Sequence, residues 1–98
     1  MLFRSIEIND RVMIGYDSKL LSSSHNIPQN KYSPIRFSGH TKNKIIIEED
    51  VWIASNVVIT EGVRIGKGSI IASGAVVLDD IPPFSIYGGV PARLIRNR

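Results

Sequence analysis

The sequence predicts an all-β chain wound as a triangular parallel coil. Three observations carry this. Aliphatic residues recur at every sixth position in two stretches: Leu2, Ile8, Ile14 and Leu20, then Ile47, Ile53, Ile59, Ile65, Ile71 and Val77. All ten are Ile, Leu or Val, in a chain where only 29 of 98 residues are, so chance does not produce the column. The chain also holds 16 Ile and 8 Val against 5 Leu and 4 Ala. The stiff χ1 of β-branched side chains favours pleated surfaces over helices. Finally, the position four residues after each aliphatic is itself small or aliphatic: Ile6, Val12, Ser18, Ser24, Val51, Val57, Val63, Ser69, Ala75 and Ile81. A helix is excluded because Gly62, Gly66, Gly68 and Gly74 would interrupt it.

A period of six is neither the helical 3.6 nor the strand period of two. It fits a short strand plus a corner, repeated. Three such faces close a coil of 18 residues, and successive coils pair as parallel strands. Small residues directly after the aliphatic, at Gly15, Ala54, Gly66 and Ala72, permit tight corners.

The elements follow in order within one domain, 1–98. Residues 2–25 supply the first coil. Residues 26–46 break the repeat with Pro28, Pro34 and Gly39 and read as a long loop thrown from one corner. Loops beyond about 12–15 residues are usually functional or disordered. Residues 47–82 resume the coil. Pro82-Pro83 is expected to end it, because proline donates no ladder hydrogen bond. Residues 83–98 form a cap that turns at Gly88-Gly89 and ends in a short helix or tail over Arg93 to Arg96.

The net charge of +3 is unevenly spread. Residues 26–46 carry Lys31, Arg36, Lys42 and Lys44 with no acid, and the tail carries Arg93, Arg96 and Arg98 with no acid. Those basic segments suit an anionic small molecule. Nucleic acid is not expected, since the aromatics are few and not interleaved with the basic residues. The absence of cysteine excludes disulfides, thiolate zinc sites and a thiol nucleophile. Two histidines, His25 and His40, fall short of the three that a catalytic zinc needs, so no metal is expected. No apolar run approaches the roughly 18 residues of a membrane span, and the start carries no signal-peptide core. A cytoplasmic location is expected.

The words VWIASNVVI, IGKGSIIASGAVV, DIPP and GGVPA resemble hexapeptide-repeat acyltransferases of the maltose and galactoside O-acetyltransferase type. The upstream segment from SSSHN to DVWI resembles the branch that acetylates surface polysaccharides or their sugar precursors. The resemblance covers about residues 6–97. It implies a left-handed parallel β-helix, acetyl-CoA as co-substrate, and a homotrimer with sites between subunits. It implies an O-acetyltransferase acting on a saccharide hydroxyl.

Transfer of an acetyl group to a hydroxyl needs a base, an oxyanion donor and a groove for the CoA arm. The resemblance assigns these residue by residue. His25 matches the catalytic histidine and would act as general base. Ser55 matches a serine beside the thioester that would donate to the oxyanion. Trp52 would flank the pantetheine arm and the acceptor. Ala54, Ala72 and Ser73 match small positions along which the pantetheine runs. Arg93 and Arg96 match basic tail positions that meet the CoA phosphates. His40 is expected to be structural or solvated, and the Lys and Arg residues of the loop to lie over an intersubunit groove. One departure concerns CoA: Leu78-Asp79 stands where the family usually has Thr-Lys. A second concerns length. The chain reads as an N-terminally shortened member without the family's acceptor-binding Asn and Asp residues, which leaves a non-catalytic β-helix remnant as the alternative.

Overall fold

The computed structural model describes residues 6–98, so Leu2 lies outside the described residues. The strands are β1 (Ile6–Ile8), β2 (Met13–Ile14), β3 (Lys19–Leu20), β4 (Ser23–His25), β5 (His40–Lys42), β6 (Ile45–Ile47) and β7 (Trp52–Ile53). They continue with β8 (Val58–Ile59), β9 (Arg64–Ile65), β10 (Ile70–Ile71), β11 (Val76–Val77), β12 (Ser85–Gly88) and β13 (Arg93–Asn97). Three parallel stacks form the faces of a prism: β1-β6-β9 on face A, β2-β7-β10-β12 on face B, and β3-β8-β11 on face C.

The register is the predicted column. Ile8, Ile47 and Ile65 stack on face A, Ile14, Ile53 and Ile71 on face B, and Leu20, Ile59 and Val77 on face C. From Ile47 to Val77 every member of this column is 0% exposed. The companion column Val51, Val57, Val63, Ser69, Ala75 and Ile81 is buried as well. Coil one differs. Ile8, Val12 and Leu20 pack against the core but are only half-buried, and Ile14 is 40% exposed.

The corners have their own period of six. Arg11, Asp17, Asp50, Asn56, Gly62, Gly68 and Gly74 all have positive φ. Asp, Asn and Gly tolerate that left-handed backbone better than other residues do.

Three expectations need correction or refinement. The inserted segment is a hairpin rather than a bare loop: β5 pairs antiparallel with β4, and a 3-10 turn covers Ile35–Phe37. The coil does not end at Pro82-Pro83. Ile81 bridges to Ile65, and β12 stacks on β10 with Ile70 opposite Ile86. Serines satisfy the proline stretch: Ser69 Oγ donates to the Pro82 carbonyl at 2.6 Å, and Ser85 Oγ to the Pro83 carbonyl at 3.1 Å. Arg93 to Arg96 is not a helix. Residues 93–97 form β13, antiparallel to β12. So short a helix is unstable alone, whereas a strand satisfies the backbone edge that β12 offers. No helix among the described residues is long and apolar enough to cross a membrane.

Candidate functional site

His25 ends β4, at the neck of the hairpin. The neck is held by three hydrogen bonds. Asn26 N–H donates to the Gly39 carbonyl at 2.9 Å, Asn26 Nδ2 to the Ser38 carbonyl at 2.9 Å, and Ser38 Oγ to the Asn26 carbonyl at 2.5 Å. His25 therefore projects from a fixed backbone while remaining exposed. Its cross-strand partner is His40, with ring centroids 4.4 Å apart at 41°. His40 is exposed, as expected, but it is not remote from His25.

Most of the other sequence-predicted residues gather on one prism edge, between faces B and C. Ala54 N–H donates to the Ile71 carbonyl at 2.9 Å, and Ala72 N–H to the Tyr87 carbonyl at 2.8 Å. Gly15 lies below them and Gly88 above. A Cβ on Gly15 would fall 2.6 Å from the Ala54 carbonyl carbon, and one on Gly88 would fall 3.1 Å from the Ala72 Cβ. Close packing thus keeps Gly15 and Gly88 without side chains, and with Ala54 and Ala72 between them the edge is lean. Ser55 and Ser73 follow in stacked turns, joined where Gly74 N–H donates to the Ser55 carbonyl at 3.0 Å. Trp52, 47% exposed, lies in register between Met13 and Ile70 on face B.

The edge ends at the tail. Arg93 in β13 pairs with Gly88, and Arg96 with Ile86. The hydrogen bonds of Arg93 and Arg96 go to the carbonyls of Ala92 and Asn97, each at 3.4 Å, and neither forms an ion pair among the described residues. Arg98 is different. It reaches back to the Gly68 carbonyl at 2.8 Å and to Asp50 at 3.4 Å, so it clasps the tail to the coil. Asp79, from the Leu78-Asp79 departure, lines a groove together with Arg93.

His25 is not on this edge. It follows β3, so the width of face C separates it from the Ala54–Ala72 corner. One chain brings Trp52, Ala54, Ser55, Ala72, Ser73 and Arg93 together and leaves His25 apart. Lys44 is held by Glu7 at 3.0 Å on face A, and the Lys42 side chain lies outside the described residues.

Face A carries a charge ladder that composition did not reveal. Glu48 pairs with Arg64, and Glu49 bridges Lys67 at 2.9 Å and Arg11 at 3.0 Å. The Lys67 backbone N–H at 2.8 Å, followed by the Arg64 side chain, holds the Glu48 carboxyl below its usual range. Lys67 does the same for Glu49, and Lys44 for Glu7, each chiefly through a hydrogen bond. The Glu49–Lys67 spacing of 18 is one coil, and that signal was available in the sequence.

Comparison with known proteins agrees with the fold. The family described as bacterial transferase hexapeptide (six repeats) matches residues 44–79. A hexapeptide-repeat-containing acetyltransferase of Vibrio cholerae, solved with acetyl coenzyme A, superposes with a TM-score of 0.84 at 32% identity. That match covers 96% of this chain and 61% of the other. A galactoside acetyltransferase solved with coenzyme A gives a TM-score of 0.84 at 38% identity, over 94% of this chain and 44% of the other. A 2,3,4,5-tetrahydropyridine-2,6-dicarboxylate N-acetyltransferase of Clostridium perfringens is 49% identical over 57 residues, 58% of this chain and 24% of the relative. The chain thus spans about a quarter of the curated relatives it matches.

Proposed function

The chain belongs to the hexapeptide-repeat acetyltransferase family, and from that premise we propose that it transfers an acetyl group from acetyl-CoA to a saccharide hydroxyl, with His25 as general base. The observation that carries this reading is the lean edge Gly15–Ala54–Ala72–Gly88, which runs beside Trp52 and ends at Arg93. An extended pantetheine arm needs such an edge, and CoA phosphates need cations without intramolecular carboxylate partners. The likeness to a protein solved with acetyl coenzyme A, over 96% of this chain, supports the same donor.

In this reaction the His25 imidazole takes the proton of the acceptor hydroxyl, and the oxygen attacks the thioester carbonyl. The Ser55 hydroxyl donates to the oxyanion. Collapse breaks the carbon–sulfur bond, and the CoA thiolate takes the proton back from the imidazolium. Trp52 supplies a flat wall to donor and acceptor. Ala54, Ala72 and Ser73 flank the pantetheine arm, and Arg93 and Arg96 meet the phosphates. Because face C separates His25 from the edge, a complete site pairs the His25 of one copy with the edge of another. A homotrimer meets this need, and acetyl-CoA as donor fits a cytoplasmic location.

A second reading keeps the donor and changes the acceptor to an amine, favoured by the Clostridium perfringens N-acetyltransferase at 49% identity. An acetyl-CoA consumption assay against neutral sugars and amino sugars separates the two. His25→Ala is expected to lower turnover about 10²–10⁴-fold while CoA binding is retained. Equal turnover in the variant would remove His25 as base. Binding of CoA without turnover of any acceptor would favour the non-catalytic remnant.

A further inference from the structure

We infer that His25 and His40 form a two-histidine clamp for a divalent transition metal of the zinc class, closed across the neck of the hairpin. The two residues are direct cross-strand partners in the β4–β5 pair. Their ring centroids are 4.4 Å apart and the rings are tilted by 41°. Imidazoles that share one tetrahedral zinc bind through ring nitrogens at about 2.0–2.1 Å, which sets their centroids about 5.2 Å apart. The observed rings are closer than that, and a side-chain rotation that opens the pair by about 0.8 Å brings two nitrogens to one metal.

The backbone is organised for the clamp before any metal arrives. The Asn26–Gly39 and Asn26–Ser38 bonds lock the strand ends that carry both rings. Both histidines are exposed, so water completes the coordination. Imidazole ligands suit zinc, copper and nickel and discriminate against magnesium and calcium. Within the hairpin, Lys31 stands over the Tyr32 ring at 5.2 Å and Arg36 over the Phe37 ring at 5.1 Å. No group of three ligating side chains occurs among the described residues. The clamp is therefore a reversible site and not a structural zinc centre, which takes four protein ligands.

A functional consequence rests on the proposed role of His25, although binding itself does not. Metal in the clamp occupies a ring nitrogen of the base, so zinc inhibits acetyl transfer until it is chelated. Calorimetric titration of the full, tag-free chain with zinc tests the site, beside His40→Gln and His25→Gln. One zinc per chain is expected, with affinity falling at least about tenfold in either variant. Melting temperatures of the variants report on folding. In the assay, His40→Gln is expected to keep the metal-free rate and to lose the inhibition by zinc. Zinc binding that His40→Gln leaves unchanged, or no saturable binding below about 1 mM, overturns the clamp. Zinc that binds through both histidines yet leaves transfer untouched sustains the clamp and counts against His25 as the base.

Discussion

Two glycines test different physical causes at the level of single residues. Gly74 has φ +79° with nothing within 4 Å of an added Cβ. Gly74→Ala therefore meets only backbone strain, about 1–2 kcal/mol, and Gly74→Asn should recover part of it. Gly66 has an ordinary φ, but an added Cβ would fall 2.5 Å from Pro83 N. Gly66→Ala should cost about 1–3 kcal/mol through overpacking, and Gly66→Asn should not recover it. Thermal unfolding of the four variants at one chain concentration checks both; recovery by Asn at both sites would contradict the assignment. The site residues divide in the same way. Gly15 is bare because the Ala54 backbone leaves no room for a Cβ, whereas the exposure of Trp52 on face B follows from no packing need.

Among the elements, the charge ladder of face A ties β6 to β9 through Glu48. Its carboxyl titrates below the usual 4.5 in the folded chain. A depressed carboxyl stabilises the fold above its unfolded pKa, and that stabilisation is lost as pH falls through the folded value. Glu48→Gln should thus lower the melting temperature at pH 7 by an amount below about 1 kcal/mol in stability. The gap between variant and parent should close as pH drops below about 4. A gap that persisted at low pH would show that the ion pairs are not its source. The β4–β5 hairpin is held differently, by backbone pairing and the Asn26–Ser38 clasp. No hydrophobic column marked it, so its antiparallel pairing was hidden in a segment that read as loop. The juxtaposition of His25 and His40 was hidden with it.

Over the whole molecule, burial rises from coil one inward. Ile14 is 40% exposed while its stacked partners Ile53 and Ile71 are 0% exposed. Each coil of a solenoid is covered only by its neighbours, so local stability should follow the same gradient. Amide hydrogen exchange is expected to be fastest in β1–β3 and slowest in β7–β10. Equal protection in both would mean that the open face of coil one is covered in solution.

The prism was legible because each inward residue is set by its own place in a six-residue repeat. Ile47 to Val77 are buried wherever the chain repeats, and the period alone says so. The positive-φ corners Asp50, Asn56, Gly62, Gly68 and Gly74 were equally present in the sequence, since backbone conformation selects Asp, Asn and Gly locally. The parallel strand beyond Pro82-Pro83, the strand at Arg93–Asn97 and the His25–His40 pair were not, because each depends on which distant backbone edge lies beside it. The same holds for the candidate site. The sequence by itself named the residue types, but only the tertiary structure decided that Trp52, Ala54, Ala72 and Arg93 share an edge while His25 stands across face C from them. A repeat specifies what points inward; the winding of the coil specifies what meets on the outside.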